Sequence, residues 1–137
     1  MTLLNIKDSW EMSGSADKIL IDTNILIYLT QNKLRLSDFS NISDDIFISS
    51  ITYIEALGFS FQDKWEEELA YKVCATFRRL FLTEEIEKQT ILIRKSHKIK
   101  LPDAIIAATA IVHNLTLVTR NESDFKNIVG LRVLNPF

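Results

Sequence analysis

Cysteine, proline and glycine are all scarce in this 137-residue chain, with 1, 2 and 3 copies. The lone Cys74 cannot form an internal disulfide, and its place inside an amphipathic stretch marks it as core packing. So little glycine and proline leaves no room for long floppy linkers or low-complexity tracts. Long apolar runs are missing too. The longest, from Ala104 to Val112, is interrupted by Thr109 and falls well under the roughly 18 residues of a membrane span. No positively charged start leads into an apolar signal stretch, so a cytoplasmic location without membrane contact is expected. Net charge is small, at −2, which offers no general basic face for nucleic acid. A local exception is Arg94, Lys95, His97, Lys98 and Lys100, crowded just before Asp103. What remains, 47% hydrophobic and 25% charged residues, is ordinary for one globular domain with a real core.

Residues Met1 to Asp17 lack periodicity, and Ser13-Gly14-Ser15 reads as a flexible joint, so an extension is expected over residues 1–17; Met12 is a possible alternative start. The domain proper then runs from 18 to 137. Lys18 to Ile21 suits a buried strand ending in the polar turn Asp22-Thr23-Asn24, with Ile25 to Leu29 starting a helix. Asp45 to Ser50 reads as a second strand and Thr52 to Ser60 as a helix. From Gln62 to Arg79 the spacing of Trp65, Leu69, Val73 and Phe77, continued by Leu80, predicts a helix with one apolar stripe, most simply a core face and otherwise a partner surface. Leu80 to Leu82 is expected as a short strand, and Thr83-Glu84-Glu85 as the capped start of another helix. Pro102 suits the start of a helix whose continuation, Ala104 to Val112, is apolar on every face and should lie centrally. Leu115 to Thr119 and Leu131 to Leu134 are strand-like, with a loop or short helix at 121–127. Strands alternating with helices imply an α/β domain with a parallel β-sheet covered on both faces. Ligands then bind beyond the carboxyl ends of the strands, the edge where Asp22, Ser49 and Thr119 fall.

Four acids stand out. Asp22 could cap the following helix or close an Asx-turn as readily as bind a ligand. Glu55 lies in the row Ile51, Glu55, Phe59 and is expected at the edge of the core, where an ionised carboxylate is costly unless paired or metal-bound. A solvated helix face is the alternative. Asp103 opens the all-apolar helix; a helix-dipole role would stabilise by roughly 0.3–1 kcal/mol, yet its row through Ala107 and Ile111 points it inward. Asp124 sits at the capping-box position if Asn121 is the N-cap, and could simply bond backbone amides. Together they say more. Carboxylates converging without matching cations repel one another, and a divalent cation removes that cost. Oxygen-only ligands suit magnesium or manganese, whereas His97, His113 and Cys74 are too scattered for a zinc set. The matching chemistry is phosphodiester hydrolysis.

The blocks Ile19 to Asn24, Ile48 to Glu55, Leu101 to Ala110 and Leu117 to Phe125 resemble, in order, the successive motifs of PIN domains. They are most similar to those of VapC-type toxins from bacterial and archaeal toxin–antitoxin pairs, and the resemblance covers about Lys18 to Phe137. It implies a three-layer α/β/α sandwich and Mg2+- or Mn2+-dependent endoribonuclease activity on RNA. On the matched positions it implies Asp22, Glu55 and Asp103 as the main catalytic metal ligands, with Asp124 a less constant fourth. Thr23, Asn24, Ser49, Thr52, Thr119 and Asn121 would be supporting polar residues near the metal or the scissile phosphate. It also implies a homodimer and a cognate antitoxin that blocks the acidic groove. The extension before Lys18 departs from the family, whose first strand typically starts near the N-terminus.

Arg120 sits between motif residues and is the better single candidate for an RNA phosphate contact. Lys98 and Lys100 could guide RNA, or the basic stretch could only answer a helix C-terminal dipole. A non-catalytic PIN-like module binding RNA or protein is the alternative function, and the clustered acids argue against it. A phosphatase using Asp22 as nucleophile is disfavoured, because Asn24 stands where a second acid is usual.

Overall fold

The computed structural model describes residues 18–35, 37, 45–58 and 60–137; the expected extension over residues 1–17, and Phe59, lie outside the described residues. One parallel sheet contains β1 (Lys18–Ile21), β2 (Asp45–Ser49), β3 (Arg78–Leu80), β4 (Thr116–Val118) and β5 (Arg132–Leu134), in the order β3-β2-β1-β4-β5. Among the described residues the helices are α1 (Thr23–Thr30), α2 (Ser50–Leu57), α3 (Lys64–Thr76), α4 (Glu84–Ser96) and α5 (Leu101–Val112), with a 3-10 turn at Glu122–Phe125.

Strand side chains alternate between two cores, as a period of two requires. Ile19 and Ile21 of β1 join Ile25, Leu26, Ala56 and Cys74 on one face, while Leu20 between them joins Ile86, Ile93 and Ala107 on the other. Helices α1, α2 and α3 pack together over the first face, and α4 against α5 over the second. The three layers are therefore α/β/α, as expected. Helix α5 is the central one: Ala104, Ala107, Ala108 and Ala110 are fully buried, and their small side chains let its axis lie close to the sheet.

Two local expectations need correction. Helix α3 ends at Thr76 rather than Arg79, and only the second half of the expected apolar stripe meets the core: Val73 packs against it and Phe77 is buried in it, whereas Trp65 is 62% exposed and Leu69 38%. The buried row is Ala70 and Cys74, small side chains that let α3 approach α1 and α2 closely. Second, the short strand falls at Arg78–Leu80 rather than 80–82. It is an edge strand, and edges tolerate arginine that a central strand would not.

Topology places the crevice. From β1 the chain builds β2 and β3 to one side, then β4 and β5 to the other. Crossovers diverge between β1 and β4, and the space beyond their carboxyl ends is open to a ligand.

Candidate active site

Asp22 stands at that divergence. It is the N-cap of α1, in extended conformation, and its Oδ1 accepts from Ile25 N–H at 3.2 Å. Its own N–H donates to the Val118 carbonyl at 3.1 Å, holding it against the end of β4. Across the divergence Thr119 Oγ1 donates to Asp22 Oδ2, and Thr119 Oγ1 accepts from Asn121 N–H at 3.0 Å. The Asn24 N–H also faces the carboxylate. Asp22 is thus a cap, as one reading of the sequence had it, but capping uses only one of its oxygens. Only 5% of it is exposed. Burial raises its pKa above the usual aspartate value, and the Asp103 charge adds to the rise, against the lowering effect of its hydrogen bonds.

Helix α2 begins at the end of β2 because Ser49 caps it, its Oγ accepting from Thr52 N–H at 3.0 Å. Thr52 is fully buried, with its Oγ1 3.4 Å from Ser49 Oγ and 3.3 Å from Thr23 Oγ1. Thr23 Oγ1 donates to Glu55 Oε1 at 2.6 Å. A row of hydroxyls therefore leads from β2 to the second acid. Glu55 itself is exposed, a correction to its expected place at the core edge. The core side of α2 is held by Thr52 and Ala56, and Glu55, one position round, reaches the mouth of the crevice.

Asp103 sits in the first turn of α5, half-buried and pointing to the same crevice edge. Burial raises its pKa most, followed by repulsion from Asp124 and Glu55, with Lys100 pulling it back down. Asp103 is therefore the hub that senses the other three acids, since its charge also acts on Asp22. Asp124 is exposed in the 3-10 turn, which Phe125 anchors into the core. The capping-box explanation fails for this segment: the Asn121 side chain makes no cap bond.

This donor set fits a hard divalent cation, being all oxygen and anionic; at Asp22 and Asp103 burial, with repulsion between the acids behind it, disfavours the charge, a cost that a cation would relieve. Among the described residues no three potential ligands form a ready-made cage. Magnesium, which keeps several of its waters, does not need one. Of the basic candidates, Lys100 lies near enough for its charge to reach Asp103, and Lys98 is exposed with nothing tying it to the acids. Arg94 and Lys95 occupy the last turn of α4, where the helix dipole accounts for them.

A family model described as PIN domain matches residues 19–131. The chain belongs to the PIN-domain family. Similar proteins include Ribonuclease VapC of Rickettsia bellii (strain RML369-C), 33% identical over 130 residues that cover 85% of this chain and 94% of that protein. Ribonuclease VapC1 of Rickettsia felis (strain ATCC VR-1525 / URRWXCal2) is also 33% identical, over 129 residues, with the same coverage. Among solved structures, a toxin–antitoxin complex from Klebsiella pneumoniae superposes with a TM-score of 0.70 at 34% identity, covering 88% of this chain and 98% of the other. VapBC2 from Rickettsia felis, bound to a promoter DNA fragment, gives 0.73 at 26% identity, covering 85% and 97%.

Within this PIN domain, residue patterns alone did not reveal the surroundings of Arg120. Its Nη1 donates to Tyr28 Oη at 2.8 Å, and its guanidinium lies over the Phe137 ring. Tyr28 is one helical turn beyond Asn24 on α1, a spacing that could have linked it to the site. Nothing in the sequence could have linked Phe137.

Proposed function

We propose that this PIN domain is a Mg2+- or Mn2+-dependent endoribonuclease, the toxin of a toxin–antitoxin pair. The observation that carries the reading is the gathering of four acids around Asp103: Glu55 and Asp124 act on it, it acts on Asp22, and among the described residues Lys100 is the cation that answers its charge. Kinship with proteins named as ribonucleases supplies the substrate class. Asp22, Glu55 and Asp103 would hold the ion, with Asp124 a further ligand. Bound there, such an ion supplies Lewis-acid activation of the attacking water and neutralises charge at the phosphate.

The chain's own residues do the orienting. Thr119 and the N–H of Ile25 fix both oxygens of Asp22, so the carboxylate has little freedom to lose on binding. Thr23 aims Glu55 by a short charge-assisted hydrogen bond. Ser49 and Thr52 hold Thr23 from behind, and Asn121 positions the Thr119 hydroxyl. Asn24 supports Asp22 through its backbone. Arg120, with Lys98 and Lys100, would meet the RNA backbone.

Kinship with toxin–antitoxin complexes supports an antitoxin partner and a homodimer. The exposed Trp65 and Leu69 favour the partner-surface reading for the first half of α3, while Val73 and the buried Phe77 keep the core reading for the rest of the stripe. No described helix is long and apolar enough to cross a membrane, compatible with the cytoplasmic location proposed here.

The test is RNA cleavage by the wild-type chain and by Asp22→Asn, with magnesium or manganese and then with EDTA. Cleavage should require the ion and the aspartate. Cleavage that survives EDTA, or the substitution, would sink the metal–carboxylate mechanism.

A further inference from the structure

We propose that Arg120 is a fixed phosphate-binding fork for the RNA next to the scissile bond, and that Tyr28, Asn135 and Phe137 are its positioning residues. The proposal rests on the nuclease reading above and adds a subsite to it. Arg120 stands between two residues of the acidic site: Thr119, which donates to Asp22, and Asn121, which donates to Thr119. An exposed arginine ordinarily samples many rotamers, and binding an anion must first freeze it. Here it is held before any ligand arrives. Nη1 donates to Tyr28 Oη at 2.8 Å, and the guanidinium carbon lies 5.7 Å from the centre of the Tyr28 ring and 4.9 Å from that of Phe137. The two rings meet edge to face, 5.4 Å apart at 69°, and form a corner in which the guanidinium rests.

The main chain is tied down as well. Asn135 Nδ2 donates to the Arg120 carbonyl at 3.4 Å, and Asn135 Oδ1 accepts from Phe137 N–H at 3.0 Å. One side chain thus joins the Arg120 turn to the residue that covers it. Thr119 N–H donates to the Leu134 carbonyl at 3.0 Å, which fixes the same two segments at the next residue. Asn135 and Phe137 lie beyond the stretch 19–131 that matches the family model, so half of this mount, unlike Tyr28 and Arg120, falls outside the matched stretch.

The charge has work left to do. Arg120 is exposed, and among the described residues no carboxylate pairs with it. A guanidinium offers five N–H donors, and the Tyr28 bond uses one of them. The remaining fork matches two oxygens of one phosphate. Its place points to a flanking phosphate. Thr119, the residue before Arg120, holds Asp22, whereas the guanidinium turns to Tyr28, one helical turn beyond Asn24 on α1, so the fork stands beside the acids and not among them.

The test uses a short single-stranded RNA with one mapped cleavage site, and a series in which single phosphates are replaced by neutral methylphosphonates. Binding is followed with the Asp22→Asn chain and cleavage with the otherwise wild-type one. Arg120→Gln should raise KM and Kd about tenfold, well beyond any fall in kcat, and reduce the slope of log Kd against log salt by about 0.7. That penalty should vanish at one flanking methylphosphonate and persist at the others. Arg120→Lys should keep the salt slope and recover only part of the affinity, because a point charge lacks the planar fork. Tyr28→Phe and Phe137→Leu keep apolar bulk, so Tm should hold within about 2 °C while KM rises about threefold with the salt slope unchanged. Cleavage with a normal KM in Arg120→Gln, or a penalty equal at every methylphosphonate, overturns the fork and leaves the nuclease reading standing. Binding that depends on Arg120 without any cleavage by the wild-type chain does the reverse. Neither binding nor cleavage overturns both.

Discussion

Replacing Asp103 by asparagine separates what the acidic site costs the fold from what it does for the reaction. Asp103 lies in the first turn of α5, where the helix dipole favours its charge by roughly 0.3–1 kcal/mol. Burial opposes that charge most strongly, then repulsion from Asp124 and from Glu55, with Lys100 a smaller attraction. At this half-exposed position solvent screens each repulsion to about 0.2–1 kcal/mol, so the two together match or exceed the dipole gain before burial is counted. The net result is a pKa above the usual aspartate value, so the ionised form is the one the fold disfavours. Asp103→Asn should therefore stabilise the metal-free protein by about 1 kcal/mol, a rise in Tm of about 3–4 °C.

The sign with pH follows. A carboxylate whose folded pKa lies above its unfolded one contributes stability that is complete below the unfolded pKa and is lost as pH rises through the folded one. Wild type and variant should thus match near pH ~3 and separate by pH ~7. Asp22, raised for the same reasons, adds a wild-type loss of the same sign to both proteins. A divalent cation reverses the order. At a concentration 100-fold above Kd it stabilises wild type by about 2.7 kcal/mol, and the variant gains far less. Thermal unfolding by circular dichroism, in chelator and then in magnesium or manganese, reads both effects. A variant less stable than wild type in chelator at neutral pH, or a gap that ignores pH, refutes the electrostatic reasoning. Equal cation shifts in the two proteins refute the ligand role.

Three further outcomes are expected. Asp22→Asn should reduce RNA cleavage more than Asp124→Asn, since the first is buried and tied on both oxygens while the second is exposed; equal losses in single-turnover assays would show Asp124 ranked too low. Thr119→Val removes the hydroxyl that donates to Asp22 and should raise the metal concentration for half-maximal cleavage about 10–100-fold, so an unchanged titration would count against the positioning role. Trp65→Ala should change stability by no more than about 0.5 kcal/mol in the isolated chain, whereas Phe77→Ala, 9% exposed, should cost about 3–5 kcal/mol, and denaturant melts giving comparable losses would contradict the placement of α3.

Periodicity and punctuation sufficed for the parallel α/β order. Ile19, Leu20 and Ile21 are apolar without alternation because both faces of β1 are covered, and the all-round apolar run after Asp103 could only be a central helix. Two caps were equally legible, since Asp22 and Thr83 bond the N–H groups of their own helices, a local matter of a few residues, whereas Ser49 read as a strand end and only the structure shows it capping α2. The motif blocks sufficed to name the four acids. Orientation around a helix axis was less legible. The stripe from Trp65 to Phe77 is a good core face by spacing, and its Val73 and Phe77 do meet the core, yet Trp65 and Leu69 lie outside while α3 turns Ala70 and Cys74 inward, because how closely two helices approach depends on small residues of both partners. Glu55 looked half-buried for the same reason and lies at the open mouth.

Only the tertiary structure decided how the pocket is held. Thr119 reaches Asp22 because β4 lies beside β1, although 97 residues separate them in the chain. Asp103 senses Glu55 and Asp124 because α2 and α5 start, and the 3-10 turn lies, at one edge of the sheet. Arg120 rests against Tyr28 and Phe137 because the end of β5 returns past β4 to the first helix. A residue's own chemistry and its near neighbours are written in the sequence, whereas contacts between distant segments follow from strand order and packing, which no local pattern records.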